Sequence, residues 1–446
     1  MTKNKLAHHF NFKDLIQFTT PTMIMLVFMS LYQTVDGVFV SNLVGELGLT
    51  ALNVVYPFTC VIIAISIMLS TGAGASIALS MGQQKNREAK EDFTCIILVG
   101  MILSFVILIL GSVYMEPLIY MLGATPKIYE MCYNYLWIMV LSTPLAVLQL
   151  LFQIFFVTAG KPKIGLTLTV LGGITNIVLD YLLMVPFHLG MRGTAIATSA
   201  GYGIMAVYGL YYFTVHRHGT LYFVKPKVRI AMLKRSCMNG SSEMINNLSV
   251  AITTYLFNVV GLAYLKEEGV AAISIILYAQ FIMTSIFTGY ATGVAPVISY
   301  KYGAEDTEQI QKIFKSSMIF VAVTSIATFF LSFPLAKPIV AIFASHHPYV
   351  FDLSVHGFYL FSISFLFTGI NIFASALFTA FSNGKVSAIL SFLRTFVFLV
   401  IALIGFPMLI GENGIWLAVP LAEGAAVIFS ITAIYKYKHS YHLVQR

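Results

Sequence analysis

Residues 160–203 read GKPKIGLTLTVLGGITNIVLDYLLMVPFHLGMRGTAIATSAGYG. One long apolar run carries Asn176 and, four positions on, Asp180. A turn marked by Pro186, Gly190 and Gly193 follows, and a second apolar run opens with Thr194 and Thr198. Residues four apart share one face of a helix, so Asn176 and Asp180 point the same way. A carboxylate held among acyl chains costs a few kcal/mol or more, so such a group faces a protein interior or a watery cavity. The stretch thus combines lipid-compatible helices with polar groups that make the first place to look for function.

Working outward, the whole chain shares this character. Of 446 residues, 58% are hydrophobic and 10% charged, with a mean hydropathy of +0.86, whereas soluble chains carry about 25% charged residues. This is the composition of a polytopic membrane protein. Spanning segments must satisfy their own backbone polar groups. The apolar runs are about 20 residues or longer, the length of a spanning helix and not the ~10 of a barrel strand. The polar N-terminus, MTKNKLAHHFNFKD, and the length of the first apolar run do not resemble a cleavable leader. Cys60, Cys95, Cys132 and Cys237 are scattered, without the spacing of a zinc site or a disulfide framework. No nucleophile–base pair stands out either, so neither an enzyme nor a cofactor is expected. The net charge of +8 reads as cationic loops at a lipid bilayer, not as a nucleic-acid surface.

Twelve spans are expected, near 14–44, 49–81, 93–115, 130–158, 164–186, 193–216, 236–262, 268–300, 312–336, 351–380, 386–410 and 414–438. Twenty-one lysines and arginines fall on one side of this arrangement. Four (Lys127, Arg192, Lys266, Lys337) fall on the other, and Arg394 lies inside a span. The bias places both termini in the cytoplasm of a multi-pass protein of the cell membrane. Thr71-Gly72, with Gly82 ten residues on, recurs as Thr292-Gly293 with Gly303, a shift of 221 (293 minus 72); Gly193 and Gly414 show the same shift. An even-numbered duplicated unit keeps its orientation, so the fold class is an all-α membrane protein of two six-helix bundles related by a pseudo-twofold along the membrane normal. The lobes are 1–216 and 236–446. The segment between them, 217–235, is the most basic part of the chain and reads as a cytoplasmic linker near anionic lipid.

Four side chains of the first half fall at one depth. Asp36 precedes the outer end of the first span, Asn176 and Asp180 precede that of the fifth, and Thr198 follows the start of the sixth. At 1.5 Å per residue all four lie roughly 8–15 Å below the outer surface. Two carboxylates, an amide and a hydroxyl at one level can form one site. Two carboxylates side by side in low dielectric do not both ionise cheaply, so one proton is held near neutral pH; alternatively Na⁺ replaces it, since such oxygen ligands suit hard cations. The residues leave H⁺ and Na⁺ open. Pro21 in the first span removes a backbone hydrogen bond and marks a hinge. Met29 and Tyr32 with Gln33, and Gln149 with Gln153, are candidate cleft-lining residues.

In the second half Glu243 and Arg394 lie at matching depth on the seventh and eleventh spans, and burial favours pairing them as a structural ion pair. Glu423, in the outer half of the last span, has no evident partner and is a cleft candidate, as is Glu243.

At these residues the chain resembles the MATE family, the multidrug and toxic compound extrusion transporters. The resemblance rests on PTMIMLVFMSLYQTVDGVFVSNLVG with Pro21 and Asp36, on TGAGASIALSMGQ, on AGKPK, on NIVLD followed by GMRGTAIATSAG, and on TGVAPVISYKYGA and FSNGK in the second half. It covers nearly the whole chain. It implies two six-helix lobes around a central cleft and alternating access driven by Na⁺ or H⁺. In one branch of the family the cation site lies in the N-terminal lobe, and Asp36, Asn176, Asp180 and Thr198 match its positions one by one. Another branch uses acids on helices 7 and 10; here helix 10 lacks one beyond Asp352, and Glu243 sits too near the cytoplasmic end. The resemblance therefore implies a monomeric, cation-coupled antiporter exporting small amphiphilic organic cations and related drugs. Besides a channel or sensor whose acids bind ions without coupled transport, the main rival is a flippase for lipid-linked oligosaccharides from the related superfamily. It would want a cationic cleft for pyrophosphate, and Arg394 is the one evident in-span cation.

Overall fold

The structure is a computed structural model. It describes residues 4–345 and 347–444, with the backbone only of residues 36–42, 46, 49, 251 and 267. The side chain of Asp36 therefore lies outside the described residues.

The helices follow the apolar runs. They are α1 (Phe12–Leu43), α2 (Glu46–Gly82), α3 (Asn86–Val113), the short α4 (Met115–Met121), α5 (Tyr129–Leu141), α6 (Thr143–Thr158), α7 (Pro162–Met184) and α8 (Gly190–Val215). Next come α9 (Ile230–Lys266), α10 (Glu268–Gly303), α11 (Thr307–Ala344), α12 (Pro348–Ala380), α13 (Gly384–Ile410) and α14 (Glu412–Tyr437). Among the described residues, ten helices are long and apolar enough to cross a membrane; α5 and α6, joined at a 56° bend, make an eleventh when taken as one span. The expectation of twelve apolar spans is thus met in part. The stretch 193–216 is helical, but the five glycines and four tyrosines of α8 dilute its hydropathy. The α5–α6 bend falls just before Pro144, which starts α6 and disfavours helical geometry in the residue ahead of it. Between α9 and α10, Lys266 leaves the helix at φ 58°. A π turn, Leu393–Val397, interrupts α13.

Both chain ends lie on one face. Residues ahead of α1 reach the α10–α11 turn, where Gln309 Oε1 accepts from the Phe10 amide at 2.8 Å and Lys301 Nζ donates to the Ala7 carbonyl at 3.3 Å. The tail reaches the start of α13, with Asn383 Nδ2 2.9 Å from the Tyr441 hydroxyl. On this terminal face the halves touch backbone to backbone. A Cβ on Gly72 would stand 1.9 Å from the Ser236 carbonyl oxygen, and one on Gly240 1.9 Å from that of Met68. A Cβ on Gly82 would stand 2.1 Å from the Tyr300 oxygen, and one on Gly303 2.2 Å from the Leu79 oxygen. Glycine is what lets helices approach this closely.

The segment between the halves is more than a charged tether. The Phe223 ring stacks on Phe93 at 5.3 Å between centroids, joining an aromatic cluster with Phe155, Phe156 and Phe213. The Val224 amide donates to Thr94 Oγ1 at 3.1 Å, and Thr220 Oγ1 donates to the Ala159 carbonyl at 3.1 Å. Arg229 reaches Glu88 at 3.1 Å, Asp92 at 2.8 Å and Glu91 at 3.6 Å. One cation of the basic segment is therefore paired with acids of α3. Each half is thus strapped, ahead of its first helix, to the other half.

Candidate functional site

The hairpin of residues 160–203 folds as α7 and α8, packed antiparallel. Their axes come close because a Cβ on Gly172 would sit 2.9 Å from the Gly201 oxygen, and one on Gly201 3.0 Å from the Gly172 oxygen. That approach brings the polar side chains into two rungs. In the deeper rung Asn176 Nδ2 donates to Thr198 Oγ1 at a long 3.4 Å. One turn nearer the face opposite the termini, Thr194 Oγ1 donates to Asp180 Oδ1 at 2.8 Å. Asp180 is completely buried and Asn176 is 3% exposed. From the end of α7, Asp180 lies about 6 Å and Asn176 about 12 Å down the helix at 1.5 Å per residue.

Beside the deeper rung is a cavity of about 20 Å³ lined by Tyr32, Gln149, Gly173, Asn176, Thr198 and Tyr202, among others. That is room for about one water-sized occupant. Asn176 Oδ1 is buried here and accepts no hydrogen bond from the described residues. A buried carbonyl oxygen left without a donor costs about 1–3 kcal/mol, and a cation or a water would satisfy it. Amide, hydroxyl and carboxylate oxygens form the donor set that hard cations prefer. The residues present therefore fit a small cation or a single water.

The other expected residues divide. Gln149 and Tyr32 line the cavity. Gln153 is buried, its Nε2 3.8 Å from Met29 Sδ, so this pair packs between α6 and α1. Gln33 is exposed. Pro21 is buried in an unbroken α1. It lies in the turn where α1 meets α10, since a Cβ on Gly289 would stand 2.5 Å from Met23 Cα and one on Gly293 3.2 Å from Thr19 Cα. Thr194, to which the sequence assigns no role, is the residue that bonds Asp180.

The expected ion pair is corrected. Arg394 bonds Glu423 and not Glu243: its Nε lies 2.8 Å and 3.0 Å from the two Glu423 carboxylate oxygens. Asn371 Nδ2 donates to the same carboxylate at 2.6 Å, and Ser430 Oγ donates to Asn371 Oδ1 at 2.8 Å. Glu243 receives a 3.4 Å bond from Asn246 of its own helix. Counting along the spans matches only Glu243 to Arg394 in depth and puts Glu423 in the outer half of its span, yet Glu423 is the acid that Arg394 bonds.

Long apolar helices that enclose a small cavity lined in part by Asn176 and Thr198 define an integral membrane protein with polar groups inside its bundle. Similarity to known proteins agrees. The family model MatE matches the chain over residues 21–182 and again over 244–404. The multidrug export protein MepA of Staphylococcus aureus (strain bovine RF122 / ET3-1) is 21% identical over 431 residues, covering 95% of this chain and 93% of that protein. The protein of the same name in Staphylococcus saprophyticus is 22% identical over 432 residues, with the same coverage of 95% and 93%. Among solved structures, a MATE in complex with MaL6 superimposes with a TM-score of 0.94 at 21% identity, covering both chains entirely. A MOP superfamily transporter from Pyrococcus furiosus Vc1 (DSM3638) gives 0.91 at 21% identity over 99% of each chain. The chain belongs to the MatE family of membrane transporters.

Proposed function

We propose that this protein is a cation-coupled multidrug antiporter of the cell membrane. It exports amphiphilic organic cations and related drugs, as a monomer, by alternating access between two six-helix halves, 1–216 and 236–446, with both termini in the cytoplasm. The observation that carries the reading is the small cavity beside Asn176 and Thr198, with an unfilled buried acceptor, one helical turn from the buried Asp180. Na⁺ or H⁺ is the coupling species, with Asp36, Asn176, Asp180 and Thr198 as the candidate ligands. Reciprocity supports the two-half arrangement. The contact of Gly82 with Tyr300 recurs as that of Gly303 with Leu79, each residue being exchanged for its partner 221 positions away. The family model also matches twice, in one segment of each half. The named relatives are multidrug export proteins, which favours drugs over lipid-linked sugars. The flippase reading loses the feature it needed, because Arg394 is already neutralised by Glu423.

The test is efflux of a fluorescent organic cation from proteoliposomes under an imposed pH gradient and, separately, an imposed Na⁺ gradient. One gradient should drive efflux in the wild-type chain and neither in Asp180→Asn. Undiminished gradient-driven efflux by Asp180→Asn would reject the site, and absence of any gradient response in the wild type would reject the coupling.

A further inference from the structure

The two halves are not equivalent where it matters. Two backbone bonds close α6 ahead of α7, Gly160 N to the Val157 oxygen and Lys161 N to the Phe156 oxygen. The same pair, Ser382 N to the Thr379 oxygen and Asn383 N to the Phe378 oxygen, closes α12 ahead of α13, 222 residues later. Gly190 and Gly411, both at positive φ, mark the starts of α8 and α14 at a shift of 221. Under these shifts Gln149, Gly172 and Tyr202 correspond to Asn371, Arg394 and Glu423. The first three line the cavity of the N-terminal half. Of the second three, Asn371 and Arg394 both bond Glu423. Beyond the π turn, which inserts one residue, the shift along α13 becomes 223: Gly193 stands against Leu183 as Gly414 stands against Phe406. Asn176 and Asp180 then correspond to Leu399 and Leu403, and Thr194 and Thr198 to Ile415 and Val419. Leu403 and Ile415 are completely buried, and Val419 nearly so.

We propose that Arg394 is a tethered cation. It holds permanently, in the C-terminal half, the place that the N-terminal half leaves open for a mobile one. Glu423, backed by Asn371 and Ser430, is then a guanidinium site that a free organic guanidinium fills once the arginine side chain is cut back. The comparison with a mobile ion rests on the function proposed above; the guanidinium site itself does not. The chemistry is that of a buried carboxylate, which needs a countercharge among apolar helices. A planar guanidinium can bond both carboxylate oxygens at once. The remaining acceptor of the cluster, Asn371 Oδ1, is already taken by Ser430, so the site is complete with the arginine in place, in contrast to the open Asn176 Oδ1.

The experiment measures thermal stability of the purified full-length protein. Arg394→Ala should melt below the wild type and recover, saturably, as methylguanidinium is added, with no comparable response to equal concentrations of Na⁺. Arg394→Ala combined with Glu423→Gln removes both charges; it should melt above Arg394→Ala and ignore methylguanidinium. Should Arg394→Ala prove too unstable to purify, the double variant decides, since its recovery supports the assignment and its equal failure overturns it. A folded Arg394→Ala indifferent to methylguanidinium also overturns it. Stabilisation by Na⁺ or by protons, compared in wild type and Asp180→Asn, judges the N-terminal coupling site separately, so the two readings fail independently.

Discussion

Replacing Gly82 by alanine puts a methyl group where the halves touch backbone to backbone. The new Cβ would lie 2.1 Å from the Tyr300 oxygen and 2.9 Å from the Ala304 nitrogen, against a floor near 3.0 Å for real contacts. Both obstacles are backbone atoms, so no rotamer change relieves the clash. Instead α10 must withdraw from α2 by roughly an ångström, and overpacking of this kind costs about 1–3 kcal/mol. If alternating access parts these helices in the other conformation, the cost falls on the closed state alone. A differential of about 1–3 kcal/mol shifts a two-state ratio by roughly 5- to 150-fold. Spin labels at Arg87→Cys and Lys312→Cys report the change. Both side chains are exposed on the terminal face, and Cys60, Cys95 and Cys132 are buried, leaving Cys237 to be replaced. The distance distribution should gain a longer component in Gly82→Ala and gain it further with Gly303→Ala. Gly203→Ala, whose Cβ meets nothing nearer than 3.9 Å, serves as the control. An unchanged distribution in a folded Gly82→Ala would refute the idea that this contact is specific to one state.

Two further substitutions probe the site and the straps. Thr194→Val removes the 2.8 Å bond to Asp180 with little change in volume; losing a hydrogen bond to a charged group costs about 1.5–3 kcal/mol. Ion-driven efflux should therefore need a roughly 10- to 100-fold different concentration of the coupling ion, read from the half-saturation of transport, while drug binding at saturating ion is kept. Arg229→Ala leaves Glu88, Glu91 and Asp92 without their shared cation. It should lower the melting temperature, and added salt should narrow the gap by screening the acids at this partly exposed site; a gap independent of salt would mean that the strap is held by Phe223 and its backbone bonds.

Whether a feature is legible in the chain depends on whether the interactions that make it are local. The spans are readable because hydropathy and length are local properties, and α8 escapes the apolar set because of its glycines, of which Gly193 and Gly201 pack on α7 and Gly209 on Phe152 of α6. The rungs are readable too. In a short antiparallel hairpin, facing residues have numbers that add to the same total, as Asn176 with Thr198 and Asp180 with Thr194 do. Thr194 goes unnoticed because a threonine near a helix start usually needs no partner beyond its own helix. The Glu243–Arg394 expectation fails for a geometric reason. Counting from helix ends puts Glu423 in the outer half of its span, yet it meets Arg394 at 2.8 Å; Glu243 lies near enough for the Arg394 charge to act on it but takes its hydrogen bond from Asn246. The straps are invisible because Arg229 meets its acids across some 140 positions of sequence, and nothing local marks such a pairing.

The asymmetry between the halves bears on how little the coupling ion must do. Moving a two-state equilibrium from 1:99 to 99:1 takes about 5.5 kcal/mol of differential binding. On the coupling proposed above, a single cation bound by the Asp180 carboxylate and the Asn176 and Thr198 oxygens would make two or three charge-assisted contacts, each worth about 1.5–3 kcal/mol. That sum reaches the requirement without a second ion. A duplicated transporter that can switch on one ion gains nothing from a second mobile charge in the other half. It does need that half to pack as one rigid body against the glycine contacts of the terminal face. An arginine fixed to Glu423, with leucine, isoleucine and valine in place of the polar rungs, meets that need. On the function proposed above, the half that keeps a cavity is the one expected to answer the gradient.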